Sequence, residues 1–511
     1  MEEDKISLLV NHWEIDVDVS NRDWKAQWNK PCIYKLPAPT ITGGGGSFQS
    51  AAYLPSTVSF GPYHHGKGDH LKKMDPHKHR VLGHFLRRYN NIPLQKLVDS
   101  LTTTSCRRQQ VDPVDEAIDP KALHVHTQKE VSPVLQHLMD AYDSLEEKWL
   151  RDTDGFLRLM VLDGCFMLEI LQWSWVSGDH KALSSGSAAL TGSVDDYSYA
   201  DNDPIFSRHG KLYVMSLIRR DMLMLENQLP MLLLKTLLGA VLPTESKERI
   251  EEHLNTIILN FCRGITKRNM GPCLHVLDLY RKSLLSNNLP KDSPSPVHNK
   301  AKGPATIFGH TTSTDQKNST NGGSEDIIRS AMNLHESGIK FEKSTETCNL
   351  NDIWFKGHTL RLPVVVIDDT TESTLLNLMA FERFHVGTGN EITSYVCFMD
   401  NIIDSSDDVK ILRSSGVLHN SIGSNKAVAK LFNDMTKDVT PDPESRLEKI
   451  VQKQLDEYCR SQWNEWRANL SHTYFKNPWA LLSLLAAVLL LALTITQTFY
   501  AIYPYYKPRG K

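Results

Sequence analysis

The sequence lacks the clustered cysteines of a disulfide framework. Its eight cysteines are scattered along 511 residues, and no two of them form a C-x-x-C pair. Closely spaced cysteines form the disulfide bonds that stabilise small secreted domains, whereas isolated free thiols are typical of a reducing compartment. We therefore expect free thiols in a domain that faces the cytosol.

An excess of basic residues is lacking as well. The formal net charge is −3, and no long run of Lys and Arg is interleaved with aromatic residues. A protein that binds phosphate backbones needs such a basic surface, so we expect no nucleic-acid partner. The first residues, MEEDKISLLVNHWEIDVDV, place acidic residues before a short, interrupted apolar stretch. We therefore expect no secretory signal peptide.

Familiar catalytic signatures are also missing. The sequence contains no G-x-S-x-G, H-E-x-x-H or G-x-G-x-x-G motif and no protein-kinase motif set. We therefore expect no enzymatic activity and no cofactor. The stretch from Gly61 to Lys67 has the G-x-x-x-x-G-K spacing of a phosphate loop, but Gly68 replaces the hydroxyl that holds Mg²⁺ and Pro62 has no N–H. This stretch predicts an ordered structural turn instead.

Two further features suggest chemistry only weakly. Six histidines fall within one short stretch: His64, His65, His70, His77, His79 and His84. No cysteine lies near them in the sequence, and the H-x-H at His77 and His79 does not have the i, i+4 spacing that places two ligands on one side of a helix. Imidazole is a common zinc ligand, yet this pattern favours a polar, packed surface, and we expect no metal site. Cys165 lies in an apolar helical pattern, where a thiol packs as a small hydrophobic group.

Charged residues are absent from one long apolar segment near the C-terminus. From Trp479 to Tyr503 there are 25 residues without Asp, Glu, Lys, Arg or His. A helix of this length is roughly 37 Å long at ~1.5 Å per residue, which exceeds a hydrocarbon core of about 30 Å. Aromatic residues at both ends match the two membrane interfaces. We therefore predict a transmembrane anchor over residues 476–506, followed by a short basic tail, 507–511.

The other apolar segment, beginning at Met222, contains Glu226, Asn227, Gln228 and Lys235. Each charge near a helix centre opposes insertion by about 2.5–3.5 kcal/mol, so we assign this segment to the protein core. Basic residues on the two sides of the predicted anchor nearly balance, so the charge rule does not decide its orientation. Because no signal peptide is expected, we predict that the bulk of the chain is cytosolic.

The fold predicted from the remaining pattern is mainly α. After an acidic segment, 1–30, we expect one helical domain over residues 31–475, interrupted by flexible loops at 177–203 and 290–324. Apolar residues recur at helical spacing in six segments: 74–89, 134–150, 155–175, 211–242, 247–262 and 274–285. A strand-like run, LRLPVVVIDD, precedes another helical pattern. We find no repeat of fixed period.

Polar residues embedded in apolar helical patterns form a candidate structural core: Asp163, Glu169, Asp221, Glu226, Asn227 and Gln228. Buried carboxylates of this kind are most often held by structural hydrogen bonds, for which the two amides, Arg219 and Arg220 are candidate partners. The alternative is that carboxylates with raised pKa values carry out acid–base chemistry.

Several sequence motifs follow one another in a characteristic order: IYKLP, AAYLPSTVSFGPYHHG, MDPHKHRVLGHFLRR, VLDGCFMLEIL, RRDMLMLENQLPMLLL, LRLPVVVIDDTTESTLLNLMAFE and the apolar ending. The chain resembles the plant family defined by domain of unknown function 247, also described as UPF0481 proteins. The resemblance implies a largely helical plant protein with a C-terminal membrane helix and no established enzymatic activity. Some grass members look like determinants of self-incompatibility between pollen and stigma.

Together these features predict a membrane-anchored interaction or recognition protein whose partners are a lipid bilayer and unknown proteins. If this protein discriminates between partners, the loops at 177–203 and 290–324 are candidate carriers of specificity, although inert linkers are the simpler interpretation. The alternative function is a membrane-tethered enzyme that uses the buried carboxylates.

Overall fold

The computed structural model describes residues 31–37, 48–102, 131–177, 199–265, 270–286, 330–344, 349–437, 439–460 and 478–506. The predictions for residues 1–30, most of the loop at 177–203, the loop at 290–324 and the tail at 507–511 lie outside the described residues. Helices dominate the described part of the chain and strands are few and short. The mainly α fold is therefore confirmed.

The described chain divides into two compact units where the sequence predicts one helical domain over residues 31–475. The first unit comprises the chain up to Ser286 together with Asp369–Thr393. The second comprises Asn287–Asp368 and Ser394–Lys511. The second unit is thus interrupted by a segment that folds with the first.

The first unit contains the following helices in chain order: α1 Phe48–Tyr53, α2 Asp69–Lys72, α3 Asp75–Arg88, α4 Leu94–Thr102, α5 Pro133–Asp140, α6 Glu147–Arg151, α7 Thr153–Val176, α8 Arg208–Tyr213, α9 Met215–Met222, α10 Met231–Val241, α11 Lys247–Arg263 and α12 Val276–Leu285.

Helix α7 is the centre of the first unit. Apolar residues occur on every side of it, interrupted by a few polar residues such as Asp163 and Glu169, and nearly all residues from Phe156 to Trp173 are buried. It packs against α3, α10 and α11. A helix without a polar face must be surrounded by other elements, which explains why this one is central. The Asp152 side chain caps its start by accepting a hydrogen bond from the Gly155 N–H at 2.8 Å.

Most of the helical predictions match the structure closely, including those for 155–175 and 247–262. The prediction of one helix over 211–242 is wrong, because α9 ends at Met222 and α10 begins only at Met231. The intervening residues form a short 3₁₀ turn, Leu225–Asn227, and extended chain that ends at Pro230. The pattern over 134–150 also splits into two helices, α5 and α6.

The second unit contains short strands and helices: α13 Ala331–Glu336, β1 Lys340–Lys343, β2 Trp354–Lys356, β3 Thr359–Leu362, β4 Val365–Ile367, then, beyond α14 Thr371–Phe384 of the first unit and the boundary-crossing α15 Glu391–Ile402, α16 Ser406–Ser414, β5 Leu418–Asn420, α17 Asn425–Met435 and α18 Lys453–Arg460.

The strand-like run LRLPVVVIDD corresponds to two strands, β3 and β4. Pro363 stands between them and has no N–H to donate to a sheet. Strand β3 pairs in parallel with β1 and antiparallel with β2, whereas β4 pairs in parallel with β5. Helix α16 follows the N-cap residue Ser405, whose N–H donates to Asp408 at 2.8 Å in a capping box.

The last helix, α19, spans Pro478–Tyr506. Within it, Leu482–Ile502 is the one helix segment of the described residues that is long and apolar enough to cross a membrane. None of this segment is buried within the protein.

Candidate functional site

The candidate site is built around an irregular segment, residues 56–61, which belongs to neither a helix nor a strand. Buried backbone N–H groups without a ladder need other acceptors. Three side chains supply them: Asp221 binds the first part of the segment, Asn227 accepts from Phe60, and Asp163 accepts from Gly61. We call these side chains, together with Glu169, Glu226 and Gln228, the polar core.

Asp221 lies at the end of α9 and is fully buried. One carboxylate oxygen accepts from the backbone N–H groups of Thr57 at 2.7 Å and Val58 at 2.9 Å, and the other accepts from Ser56 at 3.0 Å. Burial raises the pKa of this carboxyl, while the three N–H donors oppose that shift. The carboxylate therefore serves as an anchor for three successive backbone amides.

Asp163 lies in the middle of α7 and is fully buried. Its Oδ1 atom is 2.6 Å from Nζ of Lys78, and its Oδ2 atom accepts from the Gly61 N–H at 2.9 Å. Lys78 also donates to the Ser59 carbonyl at 2.6 Å. Burial raises the pKa of the Asp163 carboxyl, against the opposing effect of the Lys78 ammonium and the Gly61 N–H. The pair joins α3, α7 and the irregular segment.

Gly61 is needed where the segment turns. Its φ of +73° lies in the left-handed region that favours glycine, and an added Cβ would stand 2.7 Å from the hydroxyl of Tyr142. The phosphate-loop interpretation of this turn has no support in the described geometry, because the N–H groups of Phe60 and Gly61 are already bound within the core.

Glu226 connects three distant motifs. Its Oε1 atom accepts from the Leu36 N–H at 2.6 Å, and its Oε2 atom lies 3.0 Å from Nε2 of His64. Both side chains are almost fully buried. The carboxylate therefore links the IYKLP motif and the GPYHHG turn to the 3₁₀ turn between α9 and α10.

The two amides explain why the helix predicted over 211–242 is broken. Asn227 donates to the carbonyls of Val58 at 3.0 Å and Asp221 at 2.9 Å. Gln228 donates to the carbonyls of Met222 and Met224 at 2.7 Å and accepts from the Leu277 N–H at 3.1 Å. The carbonyls of Asp221, Met222 and Met224, which a continuous helix would pair internally, accept here from these two side chains.

Glu169, which also lies on α7, is paired with Arg88 at the end of α3. The hydroxyl of Tyr199 donates to the same carboxylate. Burial and this carboxylate both raise the pKa of the Tyr199 hydroxyl. Tyr199 belongs to the end of the predicted loop at 177–203, and this end is bound to the core of the first unit.

The structure corrects the partners predicted for the carboxylates. Of the two arginines expected to bind them, Arg220 approaches Asp221 only to 4.0 Å, and Arg219 lies over the ring of Phe261. The main partners are backbone N–H groups and two cations of α3, Lys78 and Arg88. The basic character of α3 was visible in the sequence, but which of its cations point inwards was not.

The histidine-rich stretch does not converge on one point. His64 faces Glu226, His65 packs edge-on against Trp149, and His84 packs against Tyr199. Among the described residues, no group of three or more His, Cys, Asp and Glu side chains is placed to hold a metal ion. Cys165 is completely buried in α7, and burial raises the pKa of its thiol.

Helix α14 contributes further buried polar residues that were not predicted from the sequence. The Asn377 carboxamide accepts from the Leu225 N–H at 2.8 Å and donates to the Ala52 carbonyl at 3.0 Å. Nearby, Arg281 of α12 donates to Glu382 at 2.8 Å and also pairs with Glu391. Asn377 and Glu382 lie in the LLNLMAFE motif, which was the available signal.

Comparison with known proteins gives the context of these motifs. The profile of DUF247, described as a plant protein of unknown function, matches residues 33–493. The chain belongs to the DUF247 family. The UPF0481 protein At3g47200 of Arabidopsis thaliana is 29% identical over 488 residues, which cover 93% of this chain and 87% of that protein. The putative UPF0481 protein At3g02645 of the same plant is 33% identical over 174 residues, 34% of this chain and 32% of its own.

No solved structure matches the chain significantly. The DUF247 match nevertheless includes every residue of the polar core. In this DUF247 chain the core is where the motifs from Ile33, Ala51, Met74, Val161 and Arg219 meet, through side chains that hold backbone groups. The family assignment itself names no activity.

Proposed function

We propose that this chain is a membrane-anchored interaction protein that recognises partner proteins and does not act as an enzyme. The observation that carries the proposal is the exposure of Leu482–Ile502: this 21-residue segment has none of its length buried in the described structure. At ~1.5 Å per residue the segment is about 32 Å long, close to a hydrocarbon core of about 30 Å. A bilayer is the environment that such a surface requires.

The non-enzymatic part of the proposal is supported by the polar core. Asp163, Asp221 and Glu226 each accept hydrogen bonds from backbone N–H groups of distant segments. Carboxylates used in this way stabilise an irregular backbone. A membrane-tethered enzyme that uses these carboxylates is the competing function, and it requires at least one of them to be dispensable for folding.

Carbonate extraction tests the anchor. The full chain should remain in the membrane fraction at alkaline pH, and the double substitution Leu489→Arg and Leu490→Arg should release it, because each central Arg opposes insertion by about 2.5–3.5 kcal/mol. The matched control, Leu489→Ala with Leu490→Ala, should stay in the membrane. Release of the unmodified chain would disprove the anchor.

We further propose that the bulk of the chain faces the cytosol. The sequons at Asn318 and Asn469 lie outside the described residues, but both are present in the sequence. If the bulk of the chain is cytosolic, glycosylation mapping should find no glycan at either asparagine. A glycan on either one would show that the orientation is the opposite.

Partner recognition is tested by proximity labelling from the native membrane. A reproducible set of neighbours, absent with an unrelated anchored protein, supports recognition, and labelling of random membrane proteins contradicts it. Cell–cell recognition of the kind implied by the grass self-incompatibility resemblance is one such role. The enzyme alternative is favoured if Asp163→Asn or Glu226→Gln leaves the fold intact and removes the cellular phenotype.

A further inference from the structure

One side of the charge-free helix α19 differs in chemistry from the rest of its surface. Six residues follow one another there at alternating spacings of four and three, so at about 100° per residue they lie within a sector of about 80°. They are Ser483, Ala487, Leu490, Thr494, Gln497 and Ala501. Leu490 is the one large apolar residue among them. We call these six residues the small–polar face.

The opposite side of α19 is dominated by large apolar side chains. They are Leu485, Leu489, Ile495 and Phe499, all of them exposed. Two smaller residues, Ala492 and Thr496, lie on that side as well. Large aliphatic and aromatic side chains are suited to contact with acyl chains. The helix therefore has two different sides, although no charge distinguishes them.

Gln497 is the polar group of this face that acyl chains cannot satisfy. It lies five residues from the midpoint of the Leu482–Ile502 segment, or ~7.5 Å along the helix, whereas half a hydrocarbon core is about 15 Å thick. The three threonine hydroxyls of the helix donate to carbonyls four residues earlier at 2.8 Å. The Gln497 carboxamide has no hydrogen bond within the described part of the chain. In hydrocarbon it needs a partner from outside this helix.

We propose that the small–polar face binds the same face of a second copy of this chain within the membrane. Small side chains allow two helix backbones to approach closely, and close packing drives the association of helices in lipid. The alternation of four and three residues keeps such a face in contact along a left-handed pair of helices. The inference rests on the proposed function, because it requires α19 to lie in a bilayer.

A second copy is favoured over a different membrane protein because Gln497 is complementary to itself. Its carboxamide carries both a donor and an acceptor. Copies of one chain have the same orientation in the membrane, so their Gln497 side chains lie at the same depth. Two parallel copies therefore supply each other with the missing hydrogen-bond partner.

Cysteine crosslinking in membranes tests the contact. The full chain is produced with two different tags in one cell and carries either Ala487→Cys or, as the matched control, Ala492→Cys, which lies about 140° away around the helix. After oxidation, Ala487→Cys should give several-fold more of a disulfide-linked product that contains both tags and has the mass of two chains. The chain without either substitution reports crosslinking through its eight native cysteines.

Energy transfer between labelled copies of the full chain in phosphatidylcholine vesicles tests the role of Gln497. Gln497→Leu should weaken association roughly threefold to thirtyfold, because interhelical hydrogen bonds in membranes contribute factors of this size. Thr496→Leu removes a hydroxyl from the opposite side and should leave association unchanged.

Carbonate extraction of the same membranes reports on the anchor separately. Release of the chain by carbonate would remove both the proposed function and this inference. If the chain stays in the membrane, equal crosslinking at positions 487 and 492, or a product that contains another protein, overturns the inference alone. Association of Gln497→Leu as tight as that of the unmodified chain also overturns it.

Discussion

The Nζ atom of Lys78 lies 2.6 Å from Oδ1 of Asp163, and both side chains are almost completely inaccessible to solvent. The lysine comes from the histidine-rich helix α3 and the aspartate from the central helix α7. Two buried charges are tolerated only when they are paired and hydrogen-bonded, and here the Gly61 N–H and the Ser59 carbonyl complete the set. The ion pair thus closes the irregular segment onto the core.

Breaking this ion pair should unfold the first unit more readily. Lys78→Met leaves the Asp163 carboxylate buried without its cation, and we expect a loss of about 3–5 kcal/mol in the free energy of unfolding. Lys72→Met, at an exposed lysine of the neighbouring helix, should change it by less than about 1 kcal/mol. Chemical denaturation of the full chain measures both. Equal effects would mean that the buried pair has no special role.

Asp221 should be required for the conformation of residues 56–61. Asp221→Ala leaves three backbone N–H groups without their acceptor, so the free energy of unfolding should fall by at least about 3 kcal/mol. Asp201→Ala, at an exposed aspartate, serves as the control and should stay within about 0.5 kcal/mol. Hydrogen exchange of the segment provides a local measurement. Unchanged exchange in Asp221→Ala would contradict the anchoring role.

Two helical glycines should respond in opposite directions to alanine. A Cβ on Gly164 of α7 would stand 2.5 Å from Cδ1 of Leu237, so Gly164→Ala should destabilise by about 1–3 kcal/mol through overpacking. A Cβ on Gly239 would approach Ile250 only to 3.6 Å, so Gly239→Ala should stabilise by about 0.5–1 kcal/mol through helix propensity. Thermal unfolding distinguishes them, and stabilisation by both would refute close packing at Gly164.

Acid should weaken the fold through two buried histidines. Burial lowers the pKa of His253 and of His275 from 6.5 to about 4. Between these pH values the unfolded chain binds protons that the folded chain does not, so stability is complete above pH 6.5 and falls as the pH decreases. The loss should reach roughly 1–2 kcal/mol per histidine at pH 5.

The histidine contribution can be isolated by substitution. The Nδ1 atom of His275 accepts from the Asp278 N–H at the start of α12, and His275→Asn keeps an acceptor for that cap. This variant should lose part of the stability difference between pH 7 and pH 5, whereas His137→Asn, at an exposed histidine, should keep all of it. Identical pH profiles of the wild type and His275→Asn would contradict the assignment.

Several elements were predictable because their signal is local. The apolar pattern of α7, the cap at Ser405 and the apolar stretch of α19 each depend on residues within one helix, where periodicity and capping rules apply. The break between α9 and α10 was not predictable in this way. Its apolar residues continue a helical pattern, and the polar partners that stabilise the break come from positions as distant as residues 58 and 277.

The amino-acid sequence is enough to establish the helical fold class, the DUF247 membership and the charge-free segment from Trp479 to Tyr503, because each depends on composition, motif order or short-range spacing. It also marked Asp163, Asp221 and Glu226 as polar residues in apolar surroundings. The groups that these side chains bind became known from the folded chain. Their partners are backbone N–H groups of residues 36, 56–58 and 61. Every residue except proline has such a group, so the pairing becomes specific only when the chain brings distant segments together.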